Sequence, residues 1–120
     1  MKAENLTIGR FGEAAARNFL HKKGYKIIEQ NYRTKYLEID LVAKYKRLLV
    51  FIEVKTRVGE LFGMPEDALG YYKIKRLIRN AAIYTTQNHY YKNYQIDSIC
   101  IVLNDDKNIK RITHYKNITP

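Results

Sequence analysis

The 120-residue sequence predicts a single α/β domain in which helices flank a mixed sheet. A helical pattern comes first, followed by a run of strand-like segments, a second helical pattern and further strand-like segments. The hydrophobic fraction of 46% is ordinary for a globular protein. No repeat, low-complexity tract or linker interrupts the chain, so we expect residues 1–120 to form one domain.

The first helix is predicted over residues 6–23. Its apolar positions recur at helical spacing, namely Ile8, Phe11, Ala15 and Phe19. A neighbouring stripe carries Glu13 together with small residues that let another backbone approach closely: Gly9, Gly12 and Ala16. Asn5 or Thr7 is predicted to cap the helix, and Gly24 suits its end.

Strands are predicted over residues 25–29, 36–43, 48–56 and 94–103, with an edge strand over 109–115. The segments 36–43 and 48–56 are joined by the charged link 44–47, which predicts a hairpin. Residues 58–70 contain three glycines and a proline and predict a loop. Residues 71–86 predict a second helix, which would bury Ile74, Leu77, Ile78 and Ala81.

The hairpin carries charges that are unusual for apolar strands. Side chains alternate along a strand, so Glu53 and Lys55 share one face, opposite Ile52 and Val54. The partner strand places Glu38 and Asp40 at the same spacing, opposite Ile39 and Leu41. Three carboxylates would thus meet one lysine. A cross-strand salt bridge accounts for one pair, and a divalent cation would neutralise the excess.

These residues predict a metal-dependent hydrolytic site for Mg²⁺ or Mn²⁺. Asp40 and Glu53 would hold the cation, with the Val54 carbonyl as a further oxygen ligand. Lys55 would orient a water or stabilise charge on phosphorus. Glu13 would reach the centre from the first helix, and pairing with Arg10 or Arg17 on the surface is its equally weighted alternative.

The charge balance favours a polyanionic partner. Lys and Arg number 22 against 12 Asp and Glu, a formal net charge of +10. The second helix is especially basic, and its side chains, with that of Arg57, would contact phosphates independently of sequence: Lys73, Lys75, Arg76 and Arg79. A solvated helix face is the alternative. DNA is the favoured partner over RNA, and no membrane partner is expected.

The remaining composition points to the cytoplasm. The single cysteine, Cys100, cannot form an intrachain disulfide, and its apolar neighbours predict a buried thiol. No apolar segment follows Lys2 as a signal peptide would require. The longest strongly apolar run, 48–52, is too short to span a bilayer.

The spacing of Asp40 and Glu53-Val54-Lys55 resembles the PD-(D/E)xK nuclease superfamily, which implies a restriction-endonuclease-like fold. The helical Glu13 is similar to the pattern of archaeal Holliday-junction resolvases. Over nearly the whole chain, the sequence resembles the YraN family of small, largely uncharacterised bacterial proteins. The matching pieces stand in the family's order: Gly9-x-x-Gly12-Glu13, Gly24-Tyr25, Asn31-Tyr32-Arg33, Glu38-Ile39-Asp40-Leu41, Phe51-Ile52-Glu53-Val54-Lys55, Arg57, Lys73 and Asp97.

Two departures from the family pattern stand out. Leu37 replaces a glycine, and Gln95-Ile96 replaces an arginine-aromatic pair that would offer a phosphate contact. Glu38 and Asp97 are candidates for carboxylates that surround the metal-binding residues without binding the cation themselves.

The resemblance implies the fold and a link to nucleic acids. The surplus carboxylates beside Lys55 make an Mg²⁺-dependent endonuclease acting on DNA the leading hypothesis, with branched or damaged forms as candidate substrates. The alternatives are a nucleic-acid-binding module that keeps the fold without cleaving, and an interaction protein whose strand charges form salt bridges. Junction resolvases usually act as dimers, so a homodimer is one of the assemblies that the resemblance allows.

Overall fold

The computed structural model describes residues 2–61, 63–90 and 92–120, with side chains from Thr7 onward. Its elements in chain order are α1 (Lys2–Lys22), β1 (Lys26–Arg33), β2 (Glu38–Tyr45), β3 (Leu48–Val58), a 3-10 turn (Pro65–Ala68), α2 (Tyr71–Gln87), β4 (Tyr94–Leu103) and β5 (Ile109–Tyr115). The element order and the hairpin predicted from the sequence are confirmed, as are the bounds of β4 and β5.

The strands form one mixed sheet in the order β1-β2-β3-β4-β5. Strands β1, β2 and β3 pair antiparallel, β4 pairs parallel to β3, and β5 returns antiparallel to β4. A parallel neighbour requires a crossover connection, which α2 provides between β3 and β4. The predicted α/β class with a mixed sheet between helices is therefore confirmed.

Each face of the sheet carries its own apolar core. On one face α1 inserts Ala16 and Leu20 among residues of the three central strands, including Leu41 and Ile52. On the other face α2 inserts a different set, which packs with Phe51: Leu77, Ala81 and Tyr84. The prediction that Ile78 faces the core was wrong, because α2 turns Asn80 and Tyr84 inward and leaves Ile78 38% exposed.

Helix α1 ends as predicted but begins earlier. Gly24 has φ +91°, and the N–H groups of Gly24 and Tyr25 donate to the carbonyls of His21 and Leu20, each at 3.0 Å. This pairing ends a helix on a left-handed residue, a conformation that glycine adopts without strain. Asn5 and Thr7 lie inside the helix, so neither is its N-cap as predicted.

Gly12 allows α1 to lie directly on β3. A Cβ built on Gly12 would stand 1.8 Å from Oγ1 of Thr56 and 2.8 Å from its Cβ. The Thr56 hydroxyl is buried without a hydrogen-bond partner in the described part of the chain. The predicted close approach along the small-residue stripe is thus confirmed, and it places Glu13 beside the ends of β2 and β3.

The segment between β3 and α2 is fixed to the far edge of the sheet. Within it, Glu66 accepts hydrogen bonds from both terminal nitrogens of Arg111 at 2.7 and 2.9 Å, and from the Tyr115 hydroxyl at 2.7 Å. Both partners lie on β5, so this predicted loop spans β3, β4 and β5. Among the described residues no helix has the length and apolar character needed to cross a membrane.

Candidate metal and nucleic-acid site

The site begins where β2 and β3 separate. Their pairing stops at Leu41 and Ile52, one residue short of Asp40. In place of a backbone partner, the Val54 N–H donates to Oδ2 of Asp40 at 2.8 Å. A buried backbone donor left without an acceptor would cost about 1–3 kcal/mol, so this carboxylate satisfies β3 where the ladder ends.

The separation also changes which side of the sheet β2 faces. Leu41 packs in the α1 core as alternation predicts, but Ile39 packs in the α2 core. The prediction that Ile39 and Leu41 share a face was therefore wrong, because alternation holds only while the strand stays in the pleated ladder. Asp40 lies at this change of face, where the charge of Lys73 on α2 lowers its pKa and its own charge raises the pKa of Glu13 on α1.

Glu53 approaches from the α2 side of β3. Its Oε1 lies 3.1 Å from Nζ of Lys73 in the first turn of α2, and its side chain is only 13% exposed. Helix α2 begins after Gly70, so the connection from β3 determines that Lys73 reaches Glu53. The Glu53 backbone carbonyl accepts a bond from the Ser98 hydroxyl of β4 at 3.1 Å, which secures this part of β3.

Burial and neighbouring negative charge raise the cost of ionising both carboxylates. Burial raises the pKa of Glu53 to about 7, with Asp40 adding to the rise and Lys73 opposing it. Burial likewise raises the pKa of Asp40, while the Val54 N–H and the charges of Lys73 and Arg33 oppose that rise. Desolvation and a neighbouring like charge both disfavour the anion.

Glu13 joins this pair from α1. Burial and the charge of Asp40 raise the Glu13 pKa, whereas a hydrogen bond from Asn31 and the charge of Arg33 lower it. Helix α1 therefore brings a third carboxylate under the electrostatic influence of Asp40, while the charge of Arg17, the alternative partner, also lowers the Glu13 pKa. Glu38 lies at the rim, where it is exposed, forms an ion pair with Arg33 and raises the Asp40 pKa.

Lys55 shares the strand face of Glu53 as predicted, but no carboxylate among the described residues pairs with it. It lies one pleat beyond Glu53 on the same strand face, and its cross-strand neighbour is Cys100. Within the described part of the chain it forms no ion pair with a carboxylate, whereas Lys73 does. The lysine that contacts Glu53 thus comes from α2, whereas strand spacing alone pointed to Lys55.

The predicted phosphate-binding residues divide into two groups. Lys73 belongs to the carboxylate cluster, as its bond to Glu53 shows. The others have exposed side chains on β3 and along α2: Arg57, Lys75, Arg76 and Arg79. Lys75 also lies over the ring of Tyr71, 5.0 Å from its centroid. The α2 group follows the helix away from the carboxylates.

Asp97 lies on the opposite face of the sheet from Glu53. It is fully buried on the α1 side, where its carboxylate contacts Nε2 of His114 at 2.8 Å and accepts bonds from Gln95 and from the Asn117 N–H, each at 2.9 Å. These contacts tie β4 to β5 and to the C-terminal segment. Gln95, one of the departures from the family pattern, therefore donates a hydrogen bond to the Asp97 carboxylate in this chain.

Sequence reasoning assigned no role to Asn31, Arg33 or Asn80, which support the site. Asn31 and Arg33 act on Glu13 and Asp40, and the Asn80 amide of α2 donates to the Glu38 carbonyl at 2.9 Å. The family motif contained Asn31 and Arg33, so their presence there was the available signal. Asn80 carried a weaker one, as a polar residue on the buried stripe of α2.

The donor set suits a divalent cation that keeps water ligands. Asp40 and Glu53 supply oxygens, and the N–H and C=O of one strand residue point the same way, so the Val54 carbonyl faces the Asp40 side of β3. Among the described residues no three His, Cys, Asp or Glu side chains form a compact metal cage. Mg²⁺ commonly binds through one or two carboxylates with several waters, so these residues fit it.

Comparison with known proteins identifies relatives along nearly the whole chain. Residues 12–101 match the uncharacterised protein family UPF0102. A UPF0102 protein of Caldanaerobacter subterraneus subsp. tengcongensis is 40% identical over 119 residues, covering 97% of each chain. One from Natranaerobius thermophilus is 41% identical over 115 residues, covering 94% of this chain and 97% of its own. One from Clostridium botulinum strain 657 is 37% identical over 113 residues, covering 90% and 92%.

Proposed function

The chain belongs to the UPF0102 (YraN) family, and we propose that it is a metal-dependent endonuclease that hydrolyses phosphodiester bonds in DNA. One observation carries this proposal. Two largely buried carboxylates, Asp40 and Glu53, lie at the point where two strands separate, and the charge of Asp40 raises the pKa of Glu53. Asp40 satisfies the Val54 N–H, but two like charges in a largely buried site oppose folding, and a divalent cation would neutralise them.

The expected roles follow from the contacts. Asp40 and Glu53 would hold Mg²⁺ or Mn²⁺, which when bound supplies Lewis acidity toward a phosphoryl oxygen and toward a coordinated water. Val54 fixes Asp40 in place through its N–H. Glu13, with a raised pKa and a position beside Asp40, would accept or relay a proton. Lys73 would leave Glu53 for a substrate phosphate once a cation neutralises the carboxylate.

Lys55 keeps a role in this proposal. It lies about 7 Å along the strand from Glu53, and it shares that face. Its ammonium would contact a phosphate rather than the carboxylates. The arrangement of strand carboxylates, strand lysine and helical glutamate supports membership in the PD-(D/E)xK superfamily and a restriction-endonuclease-like architecture for the mixed sheet.

DNA is the proposed substrate because of charge. The molecule carries a formal net charge of +10, and exposed cations follow α2 away from the carboxylates. Such contacts bind the backbone without reading sequence. A structural cue such as a branch or a lesion would then decide where cleavage occurs.

A non-catalytic nucleic-acid-binding module is the second candidate. The observation that favours it is the Glu53–Lys73 ion pair, which already neutralises one carboxylate without a cation. In that case the exposed cations would bind DNA, and the carboxylates would only stabilise the ends of β2 and β3. The two candidates differ in whether divalent cations bind at Asp40 and Glu53.

The test is cleavage of labelled duplex, single-stranded, flap and four-way-junction DNA with Mg²⁺ or Mn²⁺. Wild type is compared with Asp40→Asn, Glu53→Gln and the surface control Lys35→Gln. Cleavage by wild type and the control, lost in both site variants, supports the nuclease. DNA binding without cleavage in any metal or substrate favours the binding module.

A further inference from the structure

A basic cleft lies at the end of the hairpin opposite the carboxylates. It has a volume of about 570 Å³ and is lined by Lys44, Lys46, Arg47, His89, Tyr90 and Lys92. The sequence-based prediction of phosphate contacts included none of these residues. They come from the turn between β2 and β3 and from the segment after α2, which are brought together only by folding.

The lining has an excess of positive charge that the described residues do not offset. Three lysines and one arginine converge there, no carboxylate lines the cleft, and none of the four forms an ion pair in the described part of the chain. Placing like charges together is unfavourable unless an anion joins them. The cleft is therefore suited to a polyanion.

The walls of the cleft are fixed by local structure. Lys46 takes a left-handed conformation with φ 56° in the hairpin turn, and His89 does the same with φ 52° after α2. The Tyr90 N–H donates to the Thr85 carbonyl at 2.8 Å, and its hydroxyl donates to the Asn93 carbonyl at 2.9 Å. Tyr90 thus forms a fixed, partly apolar wall beside the cations.

The cleft and the carboxylates lie on the same side of the sheet. Val42 packs in the α2 core, so alternation places Lys44 on that face, which is also the face of Glu53. Tyr45 lies five positions after Asp40 along β2, a span of about 17 Å at ~3.4 Å per residue. At ~3.4 Å per base pair, the same span covers about five base pairs of duplex.

We propose that this cleft is a second site for the sugar-phosphate backbone, which holds the nucleic acid about five base pairs from the carboxylates. This inference rests on the proposed function, because it assigns the cleft to the same substrate. Helix α2 runs from Lys73, beside Glu53, to Gln87, two residues before His89 of the cleft, so its exposed cations would add phosphate contacts between the two sites. Duplexes too short to reach from Asp40 to Lys46 would lack the second contact.

The test measures DNA binding apart from cleavage. Fluorescence anisotropy in EDTA compares 6- and 20-base-pair duplexes bound to wild type, to Lys46→Glu/Arg47→Glu, and to the matched control Lys22→Glu/Lys23→Glu on the opposite face. We expect the cleft variant to lose roughly tenfold in affinity for the longer duplex and about two units of the salt slope. The control and the shorter duplex should change by less than about threefold.

The outcomes separate this inference from the nuclease proposal. Equal losses in the cleft and control variants would overturn the second site, even if wild type cleaves DNA. A selective loss in the cleft variant would support the site, even if wild type cleaves nothing. Wild type that binds neither duplex in low salt would overturn both the second site and a nucleic-acid function.

Discussion

Oδ2 of Asp40 accepts the Val54 N–H at 2.8 Å where the pairing of β2 with β3 has ended. One carboxylate therefore completes the backbone bonding of β3 and also faces Glu53. The structural role and the proposed cation-binding role belong to the same residue, so a substitution that removes both would be uninformative. Conservative variants can separate them.

Asp40→Asn should keep the fold while losing the cation. Its amide oxygen can still accept the Val54 N–H, so we expect stability within about 1 kcal/mol of wild type, whereas Asp40→Ala should lose about 1–3 kcal/mol. Both variants should lose divalent-cation binding. Urea unfolding and calorimetric titration check the two effects. Equal stability of the two variants would argue against the structural role of the bond.

Cation affinity should depend on pH through Glu53. Its pKa is raised to about 7 mainly by burial, and a cation binds the deprotonated carboxylate. Apparent Mn²⁺ affinity should therefore rise with pH by about tenfold per unit below 7 and level off above it. Titrations from pH 5 to 9 measure this. An affinity independent of pH between 5 and 7 would contradict the role of Glu53.

The raised pKa of Glu53 has the opposite effect on the stability of the metal-free protein: stability falls with pH, whereas cation affinity rises. The folded carboxyl holds its proton more tightly than the unfolded one, so metal-free stability should fall as pH rises from about 4.5 to about 7. Glu53→Gln removes the buried charge and should be more stable than wild type at pH 8, by on the order of 1–2 kcal/mol. Denaturant midpoints in EDTA compare the two proteins, and Mg²⁺ should narrow the difference.

Gly12 and Gly9 provide a matched pair for the contact between α1 and β3. A Cβ at Gly12 would overlap Thr56, whereas one at Gly9 meets nothing within 4 Å. Gly12→Ala should lose about 1–3 kcal/mol and displace Glu13, and Gly9→Ala should gain up to about 1 kcal/mol. Thermal unfolding measures both. Similar effects of the two substitutions would show that α1 does not lie against Thr56.

Glu66 should stabilise the segment between β3 and α2 in a pH-dependent way. Hydrogen bonds from Arg111 lower its pKa to about 2, so its contribution is present above the ordinary carboxyl range and lost as pH falls toward 2. Glu66→Gln should cost about 1–3 kcal/mol at pH 7 and less at pH 3. Unfolding at both pH values measures the difference, and a cost unchanged by pH would contradict the ion pair.

The sequence alone was sufficient to predict most strands of the sheet. Apolar runs identified the β2–β3 hairpin and β4, and the edge strand β5 was predicted at its observed bounds. The prediction that Ile39 shares a face with Leu41 failed, because β2 leaves β3 at Asp40 and its alternation is interrupted there. A strand's departure from its neighbour depends on tertiary packing, which local periodicity does not describe.

The candidate site could be predicted only in part, because strand spacing does not describe tertiary packing either. Strand spacing brought Asp40 and Glu53 together, and the small residues of α1 placed Glu13 nearby. Spacing also paired Lys55 with the carboxylates, whereas the crossover helix supplies Lys73 instead. The lysine contact depends on where α2 begins relative to β3, and the basic cleft depends on two turns that are distant in sequence.

The central claim is that Asp40 and Glu53 together hold one divalent cation, and Mn²⁺ binding tests it most directly. Electron paramagnetic resonance at pH 8 would count bound Mn²⁺ in wild type, Asp40→Asn, Glu53→Gln and the distant control Glu66→Gln. We predict one bound ion in wild type and the control, and none in either site variant at the same concentration. Wild-type binding that persists in both site variants, or no binding in wild type, would contradict the claim.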